Sequence, residues 1–255
     1  MKKIYLWEKA PYISYTNDNF NPSITEFKVN DNKTAVIVCP GGGYMGKAGH
    51  EGAPIAEMFN KGGINAFTLD YNVHPCHKYA PLSDIQRAVR VVRSLGYEKV
   101  ATLGFSAGGH LCATSGTLYD FDAYEKTDDI DKLSARPDAF IPCYAVISFG
   151  EYTHAGSRWA LLGDEQNDEK LIELFSNEKN VTKNTPPCFL WHTATDDAVN
   201  VKNSLLMAEA LRENGVYFEL HIYPVGCHGL GLATDKNDIG TWSSHAVTFL
   251  KNLEF

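Results

Sequence analysis

Apolar residues along this chain follow two rhythms. Thr34 to Cys39 is apolar and β-branched at almost every position, as in a strand covered on both faces. Ile64 to Tyr71, Lys99 to Gly104, Phe140 to Phe149, Cys188 to His192 and Val216 to Tyr223 are further strand-like runs. Between them the period lengthens. Ile55, Met58 and Phe59 sit at helical spacing within Glu51 to Lys61, and Gly62-Gly63 closes that helix. Pro81 opens a helix to Leu95 with Leu82, Ile85, Val89, Val92 and Leu95 on one face. Asp84 lies near its start, Arg90 and Arg93 near its end, and Gly96 stops it. Helices also follow Gly104-Phe105-Ser106-Ala107-Gly108 and cover Val201 to Asn214 and Trp242 to Leu253. Two modest runs come first, Ile4 to Trp7 and Ile24 to Val29, with Asn, Asp and Pro turn signals between them. They predict antiparallel strands at a sheet edge. Tyr119 to Asp138 reads as a polar loop. Gly150 to Pro187 reads as mostly irregular, with a short helix around Leu171 to Phe175. No compositional break, repeat or low-complexity tract interrupts the alternation. The pattern predicts an α/β fold, a mostly parallel eight-stranded sheet with helices on both faces, and a single domain over 1–255.

Composition narrows the setting. With 255 residues and 44% hydrophobic side chains, the chain can bury a full core. Net charge is −8 and no Lys/Arg cluster stands out, which excludes nucleic acid and an anionic membrane as expected partners. Six cysteines are scattered without a C-x-x-C pair, and several lie in apolar runs. The apolar run after Lys2-Lys3 stops at Glu8, too short for a signal peptide, and no stretch is long enough for a membrane span. The expectation is a reduced, cytoplasmic protein.

The stretch Gly104-Phe105-Ser106-Ala107-Gly108 fits G-x-S-x-G between a strand and a helix. Such a turn lifts a serine Oγ out of the sheet, and the helix N-terminus favours a developing oxyanion. Gly41-Gly42-Gly43 follows the third strand, where such an elbow takes its second oxyanion N–H. Gly42, Gly43 and Ala107 are the expected donors. The glycine run lacks the G-K-[ST] ending of a phosphate loop and G-x-G-x-x-G spacing. After the seventh strand come Asp196 and Asp197, adjacent and facing opposite ways in extended chain. Either serves as triad acid or as a cap for the following helix. After the eighth strand, His228 lies between Cys227 and Gly229 in the slot of a general base. His192 and His221 read as packed or exposed strand residues, and His110 sits on the elbow helix where a base does not belong. His74-Pro75-Cys76-His77 lacks a fourth ligand, so no metal is expected.

With these residues placed, the chain resembles the α/β-hydrolase superfamily. Within it, the chain is similar to the bacterial acetylxylan-esterase-like, lipase-esterase group. The resemblance rests on Pro40-Gly41-Gly42-Gly43-Tyr44, His50-Glu51-Gly52, Tyr79-Ala80-Pro81-Leu82-Ser83-Asp84, and Gly104 through Leu111. It continues in Leu133-Ser134-Ala135-Arg136-Pro137-Asp138, Trp191-His192-Thr193-Ala194, Asp196-Asp197-Ala198-Val199, and His228-Gly229-Leu230-Gly231. It implies the α/β-hydrolase fold and selects Asp196 as the acid beside Ser106 and His228. Asn200 stands where the family carries proline. Pro40 stands where related lipases carry histidine, which bears on the oxyanion donors.

Few residues precede the third strand, and Gly150 to Pro187 is rich in Gly156-Ser157-Arg158 and Asp164 to Asp168. The expectation is a minimal cap over a shallow, fairly polar pocket. This predicts a serine esterase for short acyl groups, acetyl first, on sugars or xylo-oligosaccharides, with no cofactor. Tyr44, Glu51 and Arg158 are expected to meet the alcohol side, and His50 and His154 line the pocket. Hydrolysis of another small ester, lactone or peptide-like bond, and a non-catalytic binding module, are the rival readings. A homodimer is compatible with an exposed edge strand or helix.

Overall fold

The computed structural model describes residues 1–12, 20–236 and 238–255, so the turn residues at 17–19 lie outside them. Eight strands pair in the order β1-β2-β4-β3-β5-β6-β7-β8. They are β1 (Lys2–Tyr5), β2 (Ser23–Phe27), β3 (Thr34–Cys39), β4 (Asn65–Asp70), β5 (Lys99–Phe105), β6 (Ala139–Cys143), β7 (Cys188–Thr193) and β8 (Phe218–Tyr223). β2 runs antiparallel to both β1 and β4, and every other pair is parallel. β3 pairs with β4 on one side and β5 on the other, so the winding reverses there. Register sets Cys39 opposite Gly104, Phe105 opposite Cys143 and Thr193 opposite Tyr223. The carboxyl ends therefore line up, with the reversal between β3 and β5, where open parallel sheets form their binding crevice.

Helices cover both faces, which is why the central strands are apolar throughout. Ala35, Ile37 and Cys39 of β3 meet α2 (Ala80–Ser94) and α3 (Ser106–Thr117). Val36 and Val38 point the other way, into the cluster of α1 (Ala53–Lys61) and α7 (Trp242–Asn252). Between β7 and β8, α6 (Lys202–Glu213) buries Met207 and Leu211 against Cys188 and Leu190. The α2 helix is buried from Ala80 to Val92, beyond the stripe its periodicity predicts, whereas Leu95 is exposed. Its polar residues are enclosed because the 119–138 segment folds over them. Arg87 Nη1 donates to Asp131 and Asp128 at 2.7 Å each, and its Nε donates to the Leu6 carbonyl at 2.9 Å.

Two expected boundaries differ. The apolar run Phe140 to Phe149 is strand only as far as Cys143; Tyr144 turns at φ +33°. Residues 145–149 are buried, but their amides bond elsewhere. Val146 N–H reaches the Ser106 carbonyl, those of Ile147 and Ser148 reach Asn203 Oδ1, and that of Phe149 reaches Ser176 Oγ. An apolar run reports burial, not strand pairing. The 150–187 segment is more helical than its composition predicts, with α4 (Ala155–Leu162) and α5 (Glu169–Leu174). His154 and Asp168 cap them, and Leu161, Leu162, Leu171 and Phe175 join the core beside α2 and α3. Tertiary burial supports such short helices. Their apolar side faces inward, so the segment covers the core.

Candidate active site

Ser106 stands where β5 gives way to α3, at φ +54°, a left-handed conformation that non-glycine residues rarely adopt. Close approach around the turn requires glycine. A Cβ on Gly108 would lie 2.3 Å from the Cys39 carbonyl oxygen and 2.4 Å from that of Pro40. The elbow is thus pressed against the carboxyl end of β3.

His228 arrives on the loop after β8. Its Nε2 lies 2.8 Å from Ser106 Oγ, and its Nδ1 lies 2.8 Å from Asp196 Oδ2. A carboxylate only accepts, so Nδ1 carries the proton and Nε2 is free to receive that of Ser106. Thr195 ties the acid loop to the histidine loop. Its Oγ1 accepts from the Gly226 amide at 2.9 Å and donates to the Gly226 carbonyl at 3.1 Å. Asp196 Oδ1 also accepts from the amides of Ala198 at 3.0 Å and Val199 at 2.8 Å. Asp196 thus folds the turn before α6 as well as meeting the histidine, and it does not cap that helix, whose N-cap is Val201. Burial pushes the Asp196 carboxyl up, but the neighbouring His192 and hydrogen bonds from His228 and the Val199 amide outweigh it and hold the group well below the usual carboxylate range. Asp197 is exposed, and among the described residues its carboxylate meets only the His228 amide, at 3.4 Å.

The loop after β3 lies against the elbow. A Cβ on Gly41 would be 3.1 Å from Ser106 Cβ. Gly42 and Gly43 have φ +137° and +65°, and a Cβ on Gly42 would meet the Gly46 carbonyl at 2.4 Å. Among the described residues no protein group accepts from either amide. Ala107 lies in the first turn of α3, where amides lack intrahelical acceptors. Three N–H groups are thus available beside Ser106.

Two expected substrate contacts are placed differently. Glu51 is buried, not exposed to a ligand; its Oε2 accepts from the Gly41 amide at 2.8 Å and its Oε1 from Tyr144 OH at 2.5 Å. Tyr144 OH in turn accepts from the Gly231 amide at 2.9 Å. Glu51 and Tyr144 thus brace the glycine loop to the histidine loop, and the Tyr144 ring packs edge-on to His228. Tyr44 is also buried, with its OH 2.8 Å from His110 Nδ1. Both side chains turn inward because a buried hydroxyl or carboxylate needs partners that the core supplies. Arg158 is half-buried and donates to the Phe149 carbonyl at 2.8 Å. His50 is exposed and donates to the Gly229 carbonyl at 3.0 Å. Burial lowers the His154 pKa, and His228 and Asp196 are close enough to contribute.

His192 and Tyr144 were missed as functional residues. A histidine ending a strand four residues before the acid was the available signal for the first. For Tyr144 there was none. His74 Nδ1 meets the Ala160 carbonyl at 3.1 Å and His77 stacks on Tyr12, so neither is arranged as a metal ligand. Glu219, His221 and His245 bring ligand-type atoms within 4.8 Å of one another. They belong to a seam between β8 and α7 in which His221 stacks on His245 and Tyr217 on Phe249.

No helix among the described residues is long and apolar enough to cross a membrane. The chain is 40% identical, with TM-score 0.94, to the crystal structure of an acetyl ester-xyloside bifunctional hydrolase from Caldicellulosiruptor lactoaceticus, covering 100% of this chain and 97% of that one. It is 40% identical over 251 residues to endo-1,4-beta-xylanase B of Butyrivibrio fibrisolvens, covering 93% of this chain and 39% of that protein. It is 32% identical over 237 residues to an acetylxylan esterase of Xylanibacter ruminicola, covering 88% and 45%. The chain spans less than half the length of these two curated relatives. The BD-FAE family matches residues 24–211, a span that holds Ser106 and Asp196 and stops before His228. The eight-stranded sheet and this match together make the chain a member of the BD-FAE family with the α/β-hydrolase fold.

Proposed function

We propose that this protein is a serine carboxylesterase that removes acetyl groups from acetylated xylo-sugars through an acyl-enzyme. The observation that carries the reading is the unbroken chain Ser106 Oγ, His228, Asp196, with 2.8 Å at each link. Ser106 Oγ attacks the ester carbonyl as its proton passes to His228 Nε2. The oxyanion is met by the amides of Ala107 and Gly42 or Gly43. Collapse expels the sugar alcohol, which takes the proton from His228. Water, deprotonated by the same nitrogen, then releases acetate.

Acetyl as the acyl group is supported by the inward-facing apolar residues of the 150–187 segment, which leave little surface for a long chain. The sugar is supported by the name of the acetylxylan esterase relative, and by that of the bifunctional hydrolase, which pairs acetyl esters with xylosides. Arg158 is the remaining candidate for the sugar side. The test is a series of p-nitrophenyl esters from acetate to decanoate, with fluorophosphonate labelling of wild type and Ser106→Ala. Acetate should be the fastest, and labelling should vanish in the variant. Decanoate outrunning acetate rejects the acyl assignment, and an unlabelled wild type rejects the mechanism.

A further inference from the structure

We propose that His192 is a positioning residue for the triad acid: its Nε2–H holds the Val199 carbonyl of the acid's turn, lies against Asp196 Oδ2, and fixes how that carboxylate addresses His228. The proposal rests on the reading of Ser106, His228 and Asp196 as a triad.

His192 is buried near the end of β7. Its Nε2 lies 2.9 Å from the Val199 carbonyl and 3.3 Å from Asp196 Oδ2. Both of those atoms only accept, so Nε2 carries a proton. Its Nδ1 lies 2.8 Å from Ser204 Oγ, a hydroxyl that can donate. The arrangement assigns the ring the tautomer with its hydrogen on Nε2. Ser204 is itself buried on α6, so the ring is held from both sides.

The consequence falls on Asp196. Its Oδ1 takes the Ala198 and Val199 amides, and its Oδ2 takes His228 Nδ1–H with His192 Nε2–H beside it at 3.3 Å. Three hydrogen bonds and this close N–H dipole surround both carboxylate oxygens. The group cannot swing without breaking bonds inside a closed site. The His192 donor also draws charge from the oxygen that stabilises protonated His228. Removing that donor should make His228 more basic while leaving its acid partner less well held. Apart from His228, every group involved lies between His192 on β7 and Ser204 on α6.

Other titratable groups face this pair. His154 and Asp197 lie beside His228, the Tyr144 ring packs on it, Glu51 bonds to Tyr144, and Cys227 precedes it in the chain. None changes in the variants below, so a shift in the pH profile reports on His192.

The experiment compares His192→Leu, His192→Gln and Ser204→Ala with wild type. It measures kcat and KM for p-nitrophenyl acetate across pH, with Tm for each protein. His192→Leu should lower kcat about 10- to 100-fold, the range typical of partners that orient a functional group from behind. KM should change little, and the acidic limb of the kcat profile should move to higher pH. His192→Gln places an amide donor near the same point and should restore most of kcat and return the limb. Ser204→Ala, which frees the ring to turn, should move the limb the same way by less. A lowered Tm with unchanged kcat and unchanged limb in all three overturns the proposal. If His192→Leu fails to fold, an unmoved limb in the other two does so. Long-range 1H–15N NMR of the wild type reads the His192 tautomer without reference to activity. Hydrogen on Nδ1 overturns the assignment, whereas failure of fluorophosphonate to label Ser106 overturns only the triad.

Discussion

Two buried charge networks in this molecule use similar parts for different ends. At the carboxyl edge of the sheet, Asp196 accepts from His228 and two amides with His192 beside it at 3.3 Å, and His228 reaches Ser106. On the face covered by α2, Arg87 donates to Asp128 and Asp131 and lies over the Trp7 ring at 4.9 Å. Burial works against the Arg87 charge, but hydrogen bonds to both aspartates raise its pKa further above an already high value. Such a cation never releases a proton, so the network can only hold structure. His228 differs because an imidazole can both take up and give back a proton, and its Nε2 faces a hydroxyl. A buried carboxylate is therefore no sign of catalysis; the chemistry of its partner decides.

The contrast can be broken most sharply at Ser106. Ser106→Ala should lower kcat for p-nitrophenyl acetate by about 10⁴- to 10⁶-fold with Tm nearly unchanged. A variant that keeps even a tenth of the activity would move the chemistry elsewhere. Asp196→Asn should follow, with a loss of about 10³- to 10⁴-fold as His228 loses its fixed tautomer. If the variant instead unfolds readily but hydrolyses normally when folded, Asp196 is a second structural network. Arg87→Met should do the reverse. Leaving the buried Asp131 without its cation should remove about 3 kcal/mol in urea unfolding, with kcat per folded molecule unaltered.

Glu51 lies between the two types, since it is buried beside the site and bonds to an amide and a hydroxyl. Glu51→Gln leaves one donor without an acceptor, so kcat/KM should fall about 10-fold and stability by about 1–3 kcal/mol. An effect on stability alone would class Glu51 with Arg87.

The smallest effect is in acid. The Arg87 hydrogen bond holds Asp128 below the usual carboxylate range. Burial raises Asp131, but Tyr124, the Thr127 amide and Arg87 outweigh it, and Asp196 is depressed likewise. Their contribution is present above the unfolded carboxylate pKa of about 4 and is lost as pH falls through the folded values. Asp84 has the opposite sign. Burial outweighs its bonds from Asn72 and pushes it up to about 7, so its contribution is greatest below about 4 and lost as pH rises through about 7. Unfolding free energies of Asp84→Asn between pH 4 and 8 should lack that decline. A wild-type slope retained in the variant rejects the assignment.

Much of this was legible in residue order. β3 was bounded correctly because continuous β-branched residues with no polar face fit only a strand covered on both sides. The elbow showed itself because strand, turn and helix are each local. The rule failed at Phe140 to Phe149, where one residue with positive φ ends the strand inside an apolar run. It failed again in the 150–187 segment, whose short helices depend on burying Leu161, Leu162, Leu171 and Phe175 against distant parts of the chain.

By itself the sequence determined the succession of strands and helices, hence the fold class, and it put Ser106, the aspartate pair and His228 at strand ends. Periodicity and turn chemistry act over a few residues, so they survive without knowledge of the rest of the chain. The residues alone left Asp196 and Asp197 open, and they gave Glu51 and Tyr44 as surface contacts. Only the tertiary structure turned Asp196 toward His228, drew Glu51 under Tyr144, and brought His192 against the acid. Those outcomes depend on the direction of single bonds between separate loops, which strand register and packing fix together.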